Sequence, residues 1–295
     1  MLTFIEIFVN IFIREEFKLN ENKHPRRGEL RKQIKEHKIT FAVYVFLRTL
    51  VILALVLSAI SGVWENVFTC SLALVLFLLP AFIEKNFGIE LPSTLEVIIL
   101  LFIFSAEILG EMQSFYIKYK FWDAMLHGIN GFLCAAIGFA LLDIVNRNKR
   151  LKFNISPLYL AIVAFCFSMT IGVLWEFFEY GADVILKTDM QKDAVVNTIS
   201  SVTLNTDKEN SAVIIKNIKD VVIITENGNF TLSDYGINGY LDVGINDTMK
   251  DLIVNFVGAI VFSVIGFFYV KYRGRFKFAD RFIPKLREHG DKKKK

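Results

Sequence analysis

The chain has 295 residues, 54% of them hydrophobic, and a formal net charge of +4. Soluble domains are about 45–50% apolar, and the excess here lies in long runs of the length that a bilayer requires. The basic residues flank those runs, which indicates membrane topology and excludes a nucleic-acid groove. The three cysteines lie inside apolar runs without ligand spacing, so neither a disulfide framework nor a cysteine zinc site is indicated.

The first 17 residues form an apolar segment that is too short to span a membrane. Glu6, Asn10 and Arg14 recur every four residues and give it a narrow polar stripe. This pattern predicts an interfacial or bundle-packed helix. We therefore assign residues 1–40 to this helix and the basic segment after it.

Six apolar runs follow, and each has the length of a transmembrane helix. Ser156 and Pro157 begin the fifth run as N-cap and first-turn proline. The predicted fold class is an all-α polytopic helix bundle with a small β-rich extracytoplasmic insertion. The predicted spans are 41–63, 67–83, 93–111, 122–144, 157–179 and 249–271.

The distribution of lysine and arginine predicts the orientation. Eight basic residues lie within 18–38, four lie between 147 and 152, and the C-terminal tail ends in four lysines. The positive-inside rule therefore places both termini in the cytoplasm of a bacterial inner membrane. The resulting segments are 41–181 for helices one to five, 182–246 for the insertion, 247–272 for helix six and 273–295 for a basic cytoplasmic tail.

The insertion 182–246 is rich in β-branched residues. The segments 221–225 and 230–232 flank Asn227-Gly228, a favoured type I′ hairpin turn. The segment 212–218 is a candidate third strand. The alternative is an unstructured loop.

Ionisable residues gather at the predicted outer ends of four spans. Charged groups inside a membrane cost about 2.5–3.5 kcal/mol each at mid-bilayer on insertion scales, so each requires a reason. Spacings of three or four place neighbours on one helix face. The candidate metal ligands are His127, Asp123, Glu176, Glu179 and Asp251, and the further polar candidates are Asp247, Asn255 and Glu107.

Ordinary roles compete with a functional one at several of these positions. Asp247 fits a helix N-cap, Asp123 fits a first-turn acid, and Trp122 and Trp175 fit aromatic-belt anchors. The glutamates of the fifth span resist such a reading, because a helix C-terminus disfavours anions. Converging acids require a cation or a raised pKa, and His127 adds a good ligand for a divalent metal.

Three sequence blocks, W-D-x-x-x-H-x-x-x-G (122–131), W-E-x-x-E (175–179) and D-T-M-x-D-L-x-x-N-x-x-G-A (247–259), resemble the YjdF-like family of bacterial membrane proteins. They are more distantly similar to the VanZ-like family, which is associated with resistance to a lipoglycopeptide antibiotic. The resemblance covers roughly residues 95–270. It implicates Asp123, His127, Glu176, Glu179, Asp247, Asp251 and Asn255, but it implies no reaction, because the YjdF-like family has no settled activity.

Three functions remain open from the sequence. The first is an envelope protein whose outer-leaflet site binds a divalent metal and acts on, or binds, a membrane lipid or a lipid-linked envelope precursor. The second is a transporter of cations or protons, although no paired broken helices or inverted repeats are evident. The third is a structural or partner-binding protein. The sequence does not fix enzymatic activity or oligomeric state.

Overall fold

The computed structural model describes residues 38–147, 155–207, 209–272 and 278–286. The predicted N-terminal interfacial helix and most of the basic segments lie outside the described residues. Within them, the chain forms mostly α-helices joined by short connections. The helices are α1 (Lys38–Ile60), α2 (Trp64–Leu76), α3 (Leu79–Phe87), α4 (Ser93–Phe104), α5 (Phe115–Lys118), α6 (Trp122–Arg147), α7 (Pro157–Leu186) and α8 (Ile245–Lys271).

Six segments of the described chain are long and apolar enough to cross a membrane, which confirms the predicted fold class. The second span joins α2 and α3, and the third continues from α4 into a π-helix at Ser105–Met112. The six spans are Lys38–Ile60, Trp64–Asn86, Ser93–Met112, Trp122–Asp143, Pro157–Leu186 and Ile245–Lys271. No membrane is part of the structure, so the orientation stays a prediction, as does the division into domains.

Local sequence explains where several helices begin and end. The break between α2 and α3 precedes Pro80, which lies in the first turn of α3 and has no N–H for the preceding turn. Gly88 ends α3 in the left-handed conformation, at φ 64°. Ser156 caps α7 as predicted, since its hydroxyl accepts a hydrogen bond from the N–H of Tyr159 at 3.2 Å.

Two compact units divide the chain. The first, called here the membrane unit, comprises Met1–Ile171 and Val254–Lys295, and the second, called the inserted unit, comprises Gly172–Ile253. The core of the membrane unit is apolar and closely packed, and Val51, Ala135 and Phe139 are fully buried there. Both α7 and α8 cross the boundary as unbroken helices.

Glycines allow α6 and α8 to approach closely within the membrane unit. A Cβ at Gly131 would clash with the carbonyl of Asn255, and one at Gly258 would clash with the carbonyl of Gly128. Helix α7 joins the same layer, because the Ser168 hydroxyl donates a hydrogen bond to the Gly131 carbonyl at 2.7 Å. The glycines therefore fix the register of α6 against α8.

The strands of the described chain form four separate antiparallel pairs, not one sheet. Ile89–Glu90 (β1) pairs with Lys285–Leu286 (β8) in the membrane unit. The other three pairs lie in the inserted unit. They are β2 (Val195–Val196) with β7 (Tyr240–Leu241), β3 (Thr198–Ser201) with β4 (Val213–Lys216), and β5 (Val222–Thr225) with β6 (Gly228–Thr231).

The predicted hairpin forms, but its turn differs from the predicted one. Thr225 pairs with Gly228, so Glu226 and Asn227 are the turn residues. A type I′ turn requires positive φ at both central residues, whereas here the positive φ, 130°, falls on Gly228. The predicted third strand also exists, but it pairs with β3 instead of the hairpin.

Candidate functional site

The first turns of α6 bring Asp123 and His127 together in the membrane unit. The Nε2 atom of His127 lies 3.7 Å from an oxygen of Asp123, as their four-residue spacing predicted. His127 is buried, with 7% of its surface exposed, and Asp123 is half-buried. A histidine and a carboxylate so placed can act as two ligands of one metal ion.

A layer of polar side chains lies one turn further along α6 from His127. The amide of Asn130 donates a hydrogen bond to Asn255 Oδ1 at 3.5 Å, and Asn255 in turn donates to the sulfur of Met169 at 3.6 Å. Asn255 is fully buried. The predicted polar residue Asn255 thus belongs to an amide contact between α6 and α8, and sequence reasoning missed its partner Asn130. The three-residue spacing from His127 to Asn130 was the available signal.

Glu107 lies in the π-helical end of the third span. It is half-buried, and Trp122 donates its indole N–H to the Ser105 carbonyl in the same π-helix, at 3.3 Å. Among the described residues, Glu107 is in no group of three side chains close enough to share a metal ion. The described structure therefore gives no metal-binding group to Glu107, and its part in the site stays a prediction.

Glu176 and Glu179 lie side by side on α7, in the inserted unit. Both are buried, with 4% and 8% of their surface exposed, and oxygens of the two lie within 4.8 Å of each other. Trp175, predicted as a belt anchor, donates its indole N–H to Glu179 at 2.7 Å. These glutamates were singled out because the sequence placed them at the C-terminal end of a helix, and this placement was wrong. Helix α7 continues to Leu186, and the dipole acts only within the last turn, so it does not disfavour these acids.

The start of α8 carries Asp247, Lys250 and Asp251. The Lys250 ammonium lies 3.2 Å from an oxygen of Asp247 and 3.9 Å from one of Asp251. Asp251 is almost fully buried, with 1% exposed. Asp247 is not the N-cap that was predicted, because α8 begins at Ile245. Its carboxylate instead accepts a hydrogen bond from the backbone N–H of Lys192 at 3.0 Å.

Asp242, just before α8, anchors the adjoining loop. Its carboxylate accepts hydrogen bonds from the backbone N–H groups of Ala194, at 2.7 Å, and Asn246, at 2.8 Å. Burial opposes ionisation, but these bonds outweigh it and hold the pKa of Asp242 below its ordinary value. Asp193 behaves in the opposite way, since burial and then the neighbouring Asp189 raise its pKa. The loops of the inserted unit are thus organised by aspartates.

Of the predicted ligands, the structure brings Asp123 and His127 together in the membrane unit, and Glu176 and Glu179 together in the inserted unit. The donors are one imidazole and several carboxylate oxygens, a combination that suits a divalent cation. We call His127, Asp123, Glu176, Glu179 and Asp251 the ligand set.

The family model described as "Predicted membrane protein (DUF2238)" matches residues 43–272 of the chain. The match covers more than half of the sequence, and the chain belongs to this family. Membership is compatible with the YjdF-like resemblance, whereas the comparisons give no support to the VanZ-like one. The family description names no activity.

One curated relative is an uncharacterised protein from Thermotoga maritima, 28% identical over 107 residues. That stretch covers 36% of this chain and 53% of the relative, so the chain spans about half the length of the curated relative that it matches. No solved structure matches. The comparisons thus establish that the chain belongs to a membrane protein family.

Proposed function

We propose that this protein binds a divalent cation through the ligand set, and that the bound ion holds a membrane lipid or lipid-linked headgroup at the outer face of a bacterial inner membrane. The observation that carries the proposal is the adjacent burial of Glu176 and Glu179. Buried carboxylates are rare unless they are paired, protonated or bound to metal. Two adjacent ones on one helix favour a shared cation.

The repulsion between these glutamates sets the scale of the effect. Two unit charges no more than 4.8 Å apart repel by about 3.5 kcal/mol or more at an effective dielectric near 20. Protonation of one carboxyl or a shared cation removes that penalty. The imidazole of His127 favours the cation, since a neutral imidazole is a good metal ligand and a proton-sharing pair does not need one.

His127 lies one turn along α6 from a closely packed layer of the membrane unit, in which α6 contacts α8 at Gly131 and α7 at Ser168. We propose that Asp123 and His127 share the ion with the acids of α7 and α8.

A bound divalent cation would allow the acidic ligand set to bind an anionic headgroup. Without it, Asp123, Glu176, Glu179 and Asp251 would repel a phosphate-bearing headgroup. A divalent cation with an open coordination position binds a phosphate oxygen directly. The proposal is therefore one of cation-dependent headgroup binding, and any reaction on that headgroup would need a nucleophile that the ligand set does not contain.

Lys250 favours a second function, in which the polar groups are structural, bind no ion and only fasten the helices, because contacts within a helix already balance part of the acidic charge. Its ammonium already faces both Asp247 and Asp251. The bond from Trp175 to Glu179 fits the same reading. Interhelical polar contacts in membranes contribute only about 0.6 kcal/mol each on average. The desolvation cost of burying several carboxylates is larger than this gain, so a purely structural role is the less favoured function.

Metal analysis of the purified protein separates the two functions. We expect about one divalent ion per chain in the wild type and a melting temperature that chelator lowers. Glu176→Gln and His127→Ala should each weaken cation affinity at least tenfold. Glu111→Gln, an exposed acid in the third span, is the matched control and should retain the ion. Background metal in every variant, with melting unaffected by chelator, would establish the fastening role instead.

Headgroup binding is tested with vesicles. Wild-type protein should retain vesicles rich in phosphatidylglycerol more strongly than phosphatidylcholine vesicles, and chelator should abolish the difference. Glu176→Gln should behave like the chelated wild type. Retention that is the same with and without chelator would leave cation binding standing but refute its use for headgroups.

A further inference from the structure

The C-terminal segment 278–286 returns into the bundle after α8. Phe282 packs edge-on against Phe132 of α6, with ring centroids 5.5 Å apart. Ala279 and Ile283 are fully buried and belong to the core of the membrane unit. The segment is therefore an integral part of the helix bundle.

Phe282 is deeply placed. Its partner Phe132 lies 11 residues before Asp143, where the fourth span ends, and this separation corresponds to roughly 16 Å along the helix. Phe132 also contacts Phe262, nine residues before the end of α8, or roughly 13 Å. Both helices place Phe282 well inside the end of the bundle.

Pairing with another connection holds the segment in this position. Strand β8 pairs with β1, which joins α3 to α4, and Ile89 of β1 is 1% exposed. The N–H of Leu91, next to β1, donates to Glu84 at 2.8 Å. Non-helical backbone is tolerated at membrane depth only where protein or water surrounds it, and these contacts meet that condition.

The segment is two-sided. Ala279, Phe282 and Ile283 turn toward the core, while Asp280 and Arg281 are exposed, as is Phe278 at the start of the segment. A segment that merely lay against lipid would not present a charged pair outward at this depth. Apolar side chains inward and charged ones outward suit the floor of a water-filled entrance.

The geometry points to a re-entrant seal: residues 278–286 enter the bundle from the end opposite Asp123 and His127 and close it near the middle of the fourth span. Strand β1 immediately precedes α4, and the third span leads away from it to the start of α6, where Asp123 lies. The seal makes the bundle accessible from the Asp123 end alone. A one-sided site suits ligand binding and opposes a continuous transport path.

Cys134 is a native reporter for the seal. It lies on α6 two residues beyond Phe132 and is buried, with 9% exposed. Replacing Cys70 and Cys166 by alanine leaves Cys134 as the single thiol. Its labelling by a membrane-impermeant methanethiosulfonate is measured in inverted and right-side-out vesicles.

Two truncations provide a matched comparison. A chain ending at Tyr272 lacks the segment, whereas a chain ending at Leu286 keeps it and lacks only the last nine residues. We expect the shorter chain to label at Cys134 at least tenfold faster from the C-terminal face. The longer chain should match the full-length protein. Equal rates in all three chains would overturn the seal, as would fast labelling of the full-length protein.

A point variant keeps the test decisive where the shorter chain does not fold. Phe282→Ala removes the contact with Phe132 and should raise the labelling rate severalfold, whereas Arg281→Ala, at an exposed position of the same segment, should not. Equal labelling in the two folded variants refutes the seal. Because the measurement involves no metal, its outcome is independent of the proposed cation site.

Discussion

The two units of the chain are stabilised in different ways. In the membrane unit, side chains such as Val51, Ala135 and Phe139 are fully buried, and helices approach to backbone contact at glycines. In the inserted unit, every residue of β4 and β5 is exposed. Its loops are held by hydrogen bonds from backbone N–H groups to aspartates such as Asp220 and Asp242.

This difference predicts which kind of substitution should destabilise each unit. Apolar packing is sensitive to volume and insensitive to pH. Charge-assisted hydrogen bonds to aspartate tolerate changes of volume but depend on ionisation. Substitutions that alter only volume, or only charge, therefore separate the two modes of stabilisation.

The largest effect is expected at the contact between α6 and α8. A Cβ at Gly258 would meet the backbone of Gly128 and Phe132, and backbone atoms cannot move aside as a flexible side chain can. Gly258→Ala should therefore destabilise the membrane unit by about 3 kcal/mol, at the upper end for overpacking. Thermal unfolding in detergent, followed by size-exclusion chromatography, measures the loss.

Gly128→Ala is the matched control on the facing helix. Its Cβ would lie 3.7 Å from the Val254 carbonyl, which is ordinary contact. The variant should be neutral or stabilised by up to about 1 kcal/mol through helix propensity. Equal destabilisation by both variants would contradict close packing at Gly258.

An intermediate effect is expected from Asp242→Ala in the inserted unit. The change leaves the N–H groups of Ala194 and Asn246 without their acceptor, which costs about 1–3 kcal/mol locally. Hydrogen exchange should accelerate around those amides while exchange in α1 stays unchanged. Asp234→Ala, at an exposed position, is the control. Loss of protection throughout the membrane unit would refute independent stabilisation.

The smallest effect is expected from lowering the pH, which should weaken the hydrogen bonds that Asp220 accepts at the base of the β5–β6 hairpin. The Ser233 hydroxyl, followed by the N–H groups of Ser233 and Val221, holds the pKa of Asp220 below its ordinary value. The unfolded segment therefore takes up a proton first as the pH falls. The stabilisation is complete above the ordinary aspartate pKa of 3.8 and is lost as the pH falls through the lower folded value.

Hydrogen exchange at Ser233, corrected for the intrinsic pH dependence, measures this loss between pH 5 and pH 2.5. Protection should decrease toward the acid end in the wild type and be low and nearly constant in Asp220→Asn. A wild type whose protection does not change over that range would contradict the role of the Asp220 carboxylate.

Local patterns predicted the fold because its spans depend on local composition. The six apolar runs and the Ser156 cap are confirmed, and the hairpin forms with its turn shifted by one residue. The pairing of β1 with β8 was not predictable, since two-residue strands nearly 200 positions apart have no periodicity.

The candidate site was predictable in part. Four-residue spacing predicted the contact between Asp123 and His127 because both lie on one helix. The contacts of Lys250 with Asp247 and Asp251 follow from sequence proximity as well, because all three residues lie in the first two turns of α8. Asn130 was missed although it lies three residues from His127, because its partner Asn255 lies 125 residues away and no local pattern links the two amides.

The π-helix at Ser105–Met112 has a consequence for the evolution of the third span. A π-helical turn contains one residue more than an α-helical turn, so a chain shorter by one residue could complete the same span as a regular α-helix. Such a deletion would rotate Glu107 relative to Glu111 by about 100°. Chain length between α4 and α5 is therefore a marker of the arrangement of these two acids, and we expect relatives one residue shorter here to carry their acids at different positions.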